Sequence, residues 1–170
     1  EELEDWVGNV MMASTGAQVA ISNHGGIRAT GGITAGEDVT LSQMYEISPF
    51  DNKLIVMELS YEFIMSFTSS SALFYRVESG LTLQPGQTYT VVIIDYVYLW
   101  YQLDSVRSDA DIQTGLYIRD VLIEDVRTKG LDGELFSPIS HPEASLEQLV
   151  TYDLSGSLWI PIWIPEDIHF

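Results

Sequence analysis

The first apolar residues of the chain recur three or four positions apart: Leu3, Trp6, Val7, Val10 and Met11. This spacing predicts a helix that packs one face on a core, and Gly16 is placed to end it. The next apolar run, Val19-Ala20-Ile21, is short and continuous, as in a buried strand. The chain therefore begins with a helix followed by a strand.

Farther along, short apolar runs alternate with caps and turns. Helices are predicted where Thr40 caps a segment through Tyr45 and where Ser60 caps Tyr61–Phe67. Residues rich in β-branched and aromatic side chains predict strands at Lys53–Leu59, Phe74–Val77 and Thr88–Tyr98, with a turn at Gln84–Gln87.

A later helix is predicted by Ile118, Val121, Leu122 and Val126, with Lys129 in its last turn and Gly130 beyond it. Ala29–Asp38 is expected to be a loop, and Pro142–Leu149 a short acidic helix. Together these elements predict an α+β domain, a mixed sheet with short helices, over residues 1–156. Residues 157–170 form an apolar tail.

Charge and composition exclude several kinds of partner. Acidic residues number 25 against 7 basic ones, giving a net charge of −18, which argues against binding to nucleic acid or anionic membranes. The longest apolar stretch, Val91–Tyr101, contains Asp95 and is too short to span a bilayer. We expect an extracellular or cell-surface protein, although the absence of Cys fits a secreted bacterial protein as well as a cytosolic one.

The segment Val19–Arg28 carries the first candidate chemistry. Gly25 and Gly26 let another group approach the backbone closely, and Asn23 and Arg28 place an amide and a guanidinium beside them. This arrangement suits a sugar or a phosphate. The alternative is a structural turn in which Asn23 bonds its own backbone and Arg28 pairs with one of the many acids.

An aromatic residue in a later turn is a second candidate. Phe50 lies in the turn Pro49–Asn52, between polar residues. Its ring either packs back on the core or serves as a stacking platform.

The run Ile21–Arg28, I-S-N-H-G-G-I-R, resembles the N-G-G-G-I-R signature of the C-terminal domain of 5′-nucleotidases. Further matches follow in the family's order, from about residue 5 to about residue 131. They are Val7-Gly8-Asn9 with L-G-N, Thr40–Asn52 with a short helix and P-F-G-N, Tyr89-Thr90-Val91 with Y-T-V, and Thr114–Asp120 with T-G-x-x-L-R-D.

This resemblance implies the family's fold and a domain that holds the nucleoside part of a substrate. It assigns substrate-binding positions to Asn23, Gly25, Gly26, Arg28, Phe50, Asn52 and Tyr96. Asn23 and Arg28 would contact the sugar or the phosphate, and Phe50 and Tyr96 would be the two walls of an aromatic clamp on the base.

Three departures weaken this assignment. His24 replaces the middle glycine of the signature, and Val97–Gln102 replaces a G-G-D-G loop whose acid binds the ribose in the family. The segment between Phe67 and Tyr89 is also shorter than the family's. We expect these changes to fill part of the base pocket with the chain's own side chains.

Members of the family hydrolyse phosphate esters with two metals held by an N-terminal domain, which this sequence does not resemble. The run Ser22–Gly25 lacks the leading Gly and the trailing acid of that domain's G-N-H-D/E motif, and His24, His141 and His169 show no ligand spacing with one another. We therefore expect a non-catalytic chain without a cofactor. The alternative is the nucleotide-binding half of a longer two-domain enzyme.

The tail suggests a structural role. In an extended Leu158–Pro165, both faces are apolar, and the prolines Pro161 and Pro165 remove N–H groups from one edge only. Such a strand can join a sheet once, which leads us to a hypothesis of self-assembly into a homo-oligomer or filament. Its contacts would come from Trp159, Ile160, Ile162, Trp163 and Ile164. The alternative is that the strand closes its own domain's sheet.

Overall fold

The computed structural model describes residues 2–28, 38–106, 111–131 and 159–161. Its helices are α1 (Glu2–Thr15), α2 (Leu41–Ile47), α3 (Tyr61–Phe67), α4 (Asp95–Trp100) and α5 (Ile118–Leu131). Its strands are β1 (Val19–Asn23), β2 (Asp38–Thr40), β3 (Lys53–Ser60), β4 (Leu73–Val77), β5 (Thr88–Ile94), β6 (Ile112–Tyr117) and β7 (Trp159–Pro161).

Five of the strands form one mixed sheet in the order β4-β1-β5-β3-β6. The central pair is parallel, with Val19 opposite Val91 and Ile21 opposite Ile93. The other neighbours in this sheet are antiparallel. The expected mixed-sheet α+β fold is thus confirmed, including the prediction that the Val19–Ile21 run and the Tyr89–Ile94 run share a sheet.

The core lies on both faces of the central strands, whose side chains are buried without alternation. Helix α1 packs against β1, β4 and α5. The Trp6 indole joins the two helices by donating a 2.8 Å hydrogen bond to Asp125. As the sequence predicts, α1 ends before Gly16, which adopts a positive φ of 72°.

The predicted caps of α2 and α3 and the predicted Gln84–Gln87 turn are present. Thr40 and Gln43 form a reciprocal capping box at the start of α2, and Ser60 accepts a hydrogen bond from the Phe63 N–H at the start of α3. The Gln84–Gln87 turn closes with a 3.3 Å backbone hydrogen bond. Helix α2 continues to Ile47, two residues past its predicted end.

The prediction of a single strand over Thr88–Tyr98 is wrong beyond Ile94, where α4 begins. Val97 and Tyr98 are buried, whereas Tyr96, Leu99 and Trp100 are exposed to solvent. Asp95 lies in the first turn, where a carboxylate interacts favourably with the helix dipole.

Two further predictions need correction. Helix α5 includes Gly130 instead of ending before it. Strand β6 was not anticipated, because its side chains are mostly exposed and Gly115 interrupts it with a φ of 75°. Its register with β3 shifts between Lys53 and Ile55, which breaks the simple alternation of a strand.

The tail strand β7 pairs antiparallel with β2 of the same chain, placing Ile160 opposite Val39 and Trp159 opposite Thr40. The tail residues Ile162, Trp163 and Ile164, the segment Pro142–Leu149 and most of the Ala29–Asp38 loop lie outside the described residues. Within the described residues, the helices are too short or too polar to cross a membrane.

Candidate functional site

The segments predicted to bind a ligand lie at one end of the five-stranded sheet. Strands β1 and β5 are parallel, so their carboxyl ends coincide. Leu54, near the start of β3, is opposite Ile94, at the end of β5. The turn after β1, the Phe50 turn before β3 and the first turn of α4 therefore lie at this same end.

Asn23 is the last residue of β1, and a single 3-10 turn, His24–Gly26, follows it. The Asn23 Oδ1 atom is buried and has no hydrogen-bond partner within the described residues. A Cβ atom added at Gly26 would approach this oxygen to 2.6 Å, whereas one at Gly25 would lie 3.5 Å from Asn23 Nδ2. A larger residue at position 26 would therefore require the end of the Asn23 side chain to shift.

His24, which replaces a glycine of the family signature, is directed at α1 and β4. Its Nδ1 atom contacts the Glu4 carboxylate, and its ring lies 5.7 Å from the Phe74 ring. Glu4, His24, Phe74 and Arg76 also line an open groove of about 530 Å³. This groove does not include the residues that the resemblance assigns to the substrate.

Arg28 and Phe50 are in direct contact. The Arg28 N–H donates a 2.8 Å hydrogen bond to the Ile47 carbonyl, and its guanidinium Cζ lies 5.2 Å from the Phe50 ring centroid. Phe50 is 42% exposed, so it does not pack back into the core. Arg28 forms no salt bridge within the described residues, which excludes an acidic partner in that part of the chain.

Lys53 also lies over an aromatic ring, with its Nζ atom 5.4 Å from the Tyr117 ring centroid. It also forms no salt bridge with a described residue, whereas the other described basic side chains pair with carboxylates: Arg76, Arg119, Arg127 and Lys129. Two cations without carboxylate partners in the described part of the chain therefore flank the Phe50 turn. They provide local positive charge in a strongly acidic chain.

Tyr96 lies on the exposed face of α4, where it is 47% exposed and stacks on Trp100. The two ring centroids are 6.0 Å apart and the interplanar angle is 17°. Trp100 is itself 70% exposed. The structure thus places Tyr96 at the same end of the sheet as Phe50, but its ring contact in the described part of the chain is with Trp100.

The Phe50 turn is supported from the start of α5. The Asn52 carbonyl accepts a 3.0 Å hydrogen bond from the Ile118 N–H. Arg119 is buried and contacts Ser48 and Asp51. Neither Trp100 nor Arg119 was identified as a site residue from the sequence, although Trp100 follows Tyr96 at helical i, i+4 spacing.

No group of three or more His, Asp or Glu side chains within the described residues is arranged to hold a metal ion. What the site offers is therefore exposed aromatic surface, the cations Arg28 and Lys53, and a glycine turn. These groups suit a planar, anionic ligand.

Comparison with known proteins agrees with this fold. Residues 1–67 match the family model described as the 5′-nucleotidase C-terminal domain. The 5′-nucleotidase precursor from Thermus thermophilus has a similar structure over 72% of this chain and 31% of its own, with a TM-score of 0.61 and 21% identity. The NAD nucleotidase (NadN) of Haemophilus influenzae matches over 75% of this chain and 30% of its own, with a TM-score of 0.60 and 16% identity.

These matches confirm the resemblance to the 5′-nucleotidase C-terminal domain. The chain spans about a third of the length of these two solved structures. No curated protein sequence matches it.

Proposed function

We propose that this end of the sheet binds a nucleoside 5′-phosphate, and that the chain is the substrate-binding part of a 5′-nucleotidase-type enzyme. The observation that carries the proposal is the contact between Arg28 and Phe50. An exposed aromatic ring and a guanidinium without a described carboxylate partner lie side by side at the end of parallel strands. A nucleotide offers one group to each, a base and a phosphate.

Phe50 and Tyr96 provide the stacking surface for the base. Stacking on an aromatic ring contributes about 1–3 kcal/mol per base and tolerates different bases. Tyr96 is already stacked on Trp100, so its ring is held in place before a ligand arrives.

Arg28 and Lys53 provide the charge for the phosphate. A guanidinium can donate two parallel hydrogen bonds to phosphate oxygens. Because both cations rest on aromatic rings and not on carboxylates of the described residues, a phosphate would not have to displace an ion pair there. The proposal therefore favours a nucleotide over the corresponding nucleoside.

Hydrolysis would require chemistry beyond these groups. The described residues provide binding surfaces without a metal cluster, and the match to this chain covers only 31% and 30% of the two solved nucleotidases. We infer that the domain positions a substrate for a metal-containing catalytic domain of the type found in the family.

Self-assembly through the tail is the second candidate function. The pairing of β7 with β2 within one chain favours the alternative that the tail closes its own domain. Assembly therefore stays a prediction, as does the extracellular location.

Isothermal titration of the full chain with AMP, adenosine and inorganic phosphate tests the proposal. AMP should bind more tightly than adenosine, and Phe50→Ala should weaken both. Tyr75→Ala removes another exposed aromatic side chain, on β4, and should change neither. The absence of binding heat with millimolar AMP would contradict the proposal.

A further inference from the structure

Arg119 is an unusually buried charge in this domain. It lies in the first turn of α5 and is only 8% exposed. Its Nη1 atom donates a 3.1 Å hydrogen bond to the Ser48 carbonyl, and its Nη2 atom pairs with the Asp51 carboxylate. Its Cζ atom lies 4.0 Å from the centroid of the Tyr45 ring.

The residues that Arg119 contacts lie on both sides of Phe50 along the chain. Ser48 lies two residues before Phe50 and Asp51 directly follows it. The neighbouring Ile118 N–H holds the Asn52 carbonyl at 3.0 Å. The start of α5 therefore fixes the backbone on both sides of the aromatic residue, while the ring itself remains exposed.

Helix α5 does not depend on Arg119 for its attachment to the domain. Ile118, Leu122 and Val126 are buried along one side of the helix, and Asp125 accepts the hydrogen bond from Trp6 on α1. The contacts of Arg119 are instead directed at the Phe50 turn and at α2.

The contacts of Arg119 also leave buried polar atoms unsatisfied, which lowers the stability of the folded domain. Arg119 Nε and Ser48 Oγ are both buried without a hydrogen-bond partner in the part of the chain that the structure describes. Unsatisfied buried polar groups are costly. The presence of Arg119 despite this cost is consistent with a role in fixing the conformation of the Phe50 turn.

We propose that Arg119 is a positioning residue that holds Phe50 in the orientation needed to stack on a nucleobase. Its planar fork can reach the Ser48 carbonyl and the Asp51 carboxylate together, which a lysine ammonium cannot do with the same geometry. The consequence for ligand binding rests on the nucleotide site proposed above. The consequence for the turn does not.

The test combines a ligand-free signal with binding. A 4-fluorophenylalanine at position 50 reports the ring environment by ¹⁹F NMR. Arg119→Lys should shift or broaden this signal in the absence of ligand and weaken AMP binding by roughly tenfold, an effect that should vanish in a Phe50→Ala background. Arg127→Lys, an exposed substitution on the same helix, should leave both measurements unchanged.

Asp51→Ala provides a second variant, because it removes the acceptor of the Arg119 Nη2 hydrogen bond at a side chain that is 72% exposed. It should shift the ¹⁹F signal as well. An unchanged signal in both variants would overturn the proposal whether or not AMP binds. A shifted signal in a protein that does not bind AMP would support positioning of Phe50 by Arg119 and contradict the proposed function.

Discussion

The guanidinium of Arg28 lies over the ring of Phe50, with Cζ 5.2 Å from the ring centroid. The two residues come from different turns, one after β1 and the other before β3. The hydrogen bond from the Arg28 N–H to the Ile47 carbonyl joins the same two segments through the backbone. The glycine turn and the Phe50 turn therefore act as one unit at the end of the sheet.

Removing the Arg28 charge tests whether this unit recognises phosphate. Arg28→Ala should weaken AMP binding by roughly 10- to 150-fold, because a charge-assisted hydrogen bond contributes about 1.5–3 kcal/mol, and should change adenosine binding less. The matched control is Arg127→Ala, which makes the same change in net charge on an exposed face of α5. Calorimetry that shows equal losses for AMP and adenosine would contradict a phosphate contact.

The glycine turn offers a matched pair of substitutions for stability. Gly26→Ala should destabilise the domain by about 1 kcal/mol, the low end of the usual range for overpacking, because the new Cβ would lie 2.6 Å from Asn23 Oδ1 and the end of that side chain would have to shift. Gly25→Ala, with its nearest contact at 3.5 Å, should cost less than about 0.5 kcal/mol. Urea denaturation measures both.

An Asn23→Ala background provides the control for this pair. If the amide is the obstacle, Gly26→Ala should cost little once Asn23 is truncated. A full loss of stability in that background would show that the clash lies elsewhere.

Gly8 allows a close approach of α1 to β4, as Gly26 does for the Asn23 side chain. A Cβ at this position would lie 2.7 Å from Arg76 Cγ and 2.9 Å from Arg76 Cβ. Gly8→Ala should therefore destabilise the protein by about 1–3 kcal/mol, despite a gain of about 1 kcal/mol in helix propensity. Asn9→Ala, on an exposed position of the same helix, should be neutral or stabilising. A higher thermal midpoint for Gly8→Ala would contradict this packing.

The stability of the domain should depend on pH in part through the carboxylate of Glu62. The Gly86 N–H donates a 2.8 Å hydrogen bond to its carboxylate and, with the N–H of Glu62 itself, lowers the pKa of Glu62 below its ordinary value of 4.5. Because the folded pKa is depressed, this stabilisation is complete above about pH 4.5 and is lost as the pH falls through the folded pKa.

The thermal midpoint of Glu62→Gln should therefore lie below that of the wild type near pH 7, and the difference should shrink on acidification below about pH 4.5. The same substitution at Glu46, an exposed residue of α2, is the control. A difference that stays constant down to about pH 3 would exclude the hydrogen-bonded carboxylate as its cause.

Deletion of residues 157–170 distinguishes between a tail that closes its own domain and a tail that mediates self-assembly. Because β7 pairs with β2 in the same chain, the deletion should lower the thermal midpoint. If the tail closes its own domain, light scattering should give the mass of a monomer before deletion, near 19.0 kDa for the intact chain, and a monomer again after it. An assembled wild type that becomes a folded monomer on deletion would instead support the self-assembly hypothesis.

Local signals in the sequence predicted much of the fold. Thr40 and Ser60 cap the helices that follow them, and Gly16 ends α1 with a positive φ. These features depend on a few adjacent residues, so the sequence carries them directly. The family signature assigned Asn23, Arg28 and Phe50 to substrate binding, and this assignment stays a prediction, although Arg28 and Phe50 are in contact.

Long-range relationships could not be predicted in the same way. The continuous apolar run after Thr88 is compatible with either a strand or a helix, and only burial of one face of α4 distinguishes them. The pairing of Trp159–Pro161 with Asp38–Thr40 joins short segments that are distant in sequence. Arg119 escaped detection as part of the site for the same reason, since its partners precede it by about 70 residues.

Isotope-filtered NMR of the full chain saturated with AMP tests the central claim most directly. The proposed site predicts intermolecular nuclear Overhauser effects from the adenine H2 and H8 protons to the ring protons of Phe50 and Tyr96. Contacts of adenine with other aromatic rings alone, or none at saturating AMP, would contradict the claim that these two residues hold a nucleobase.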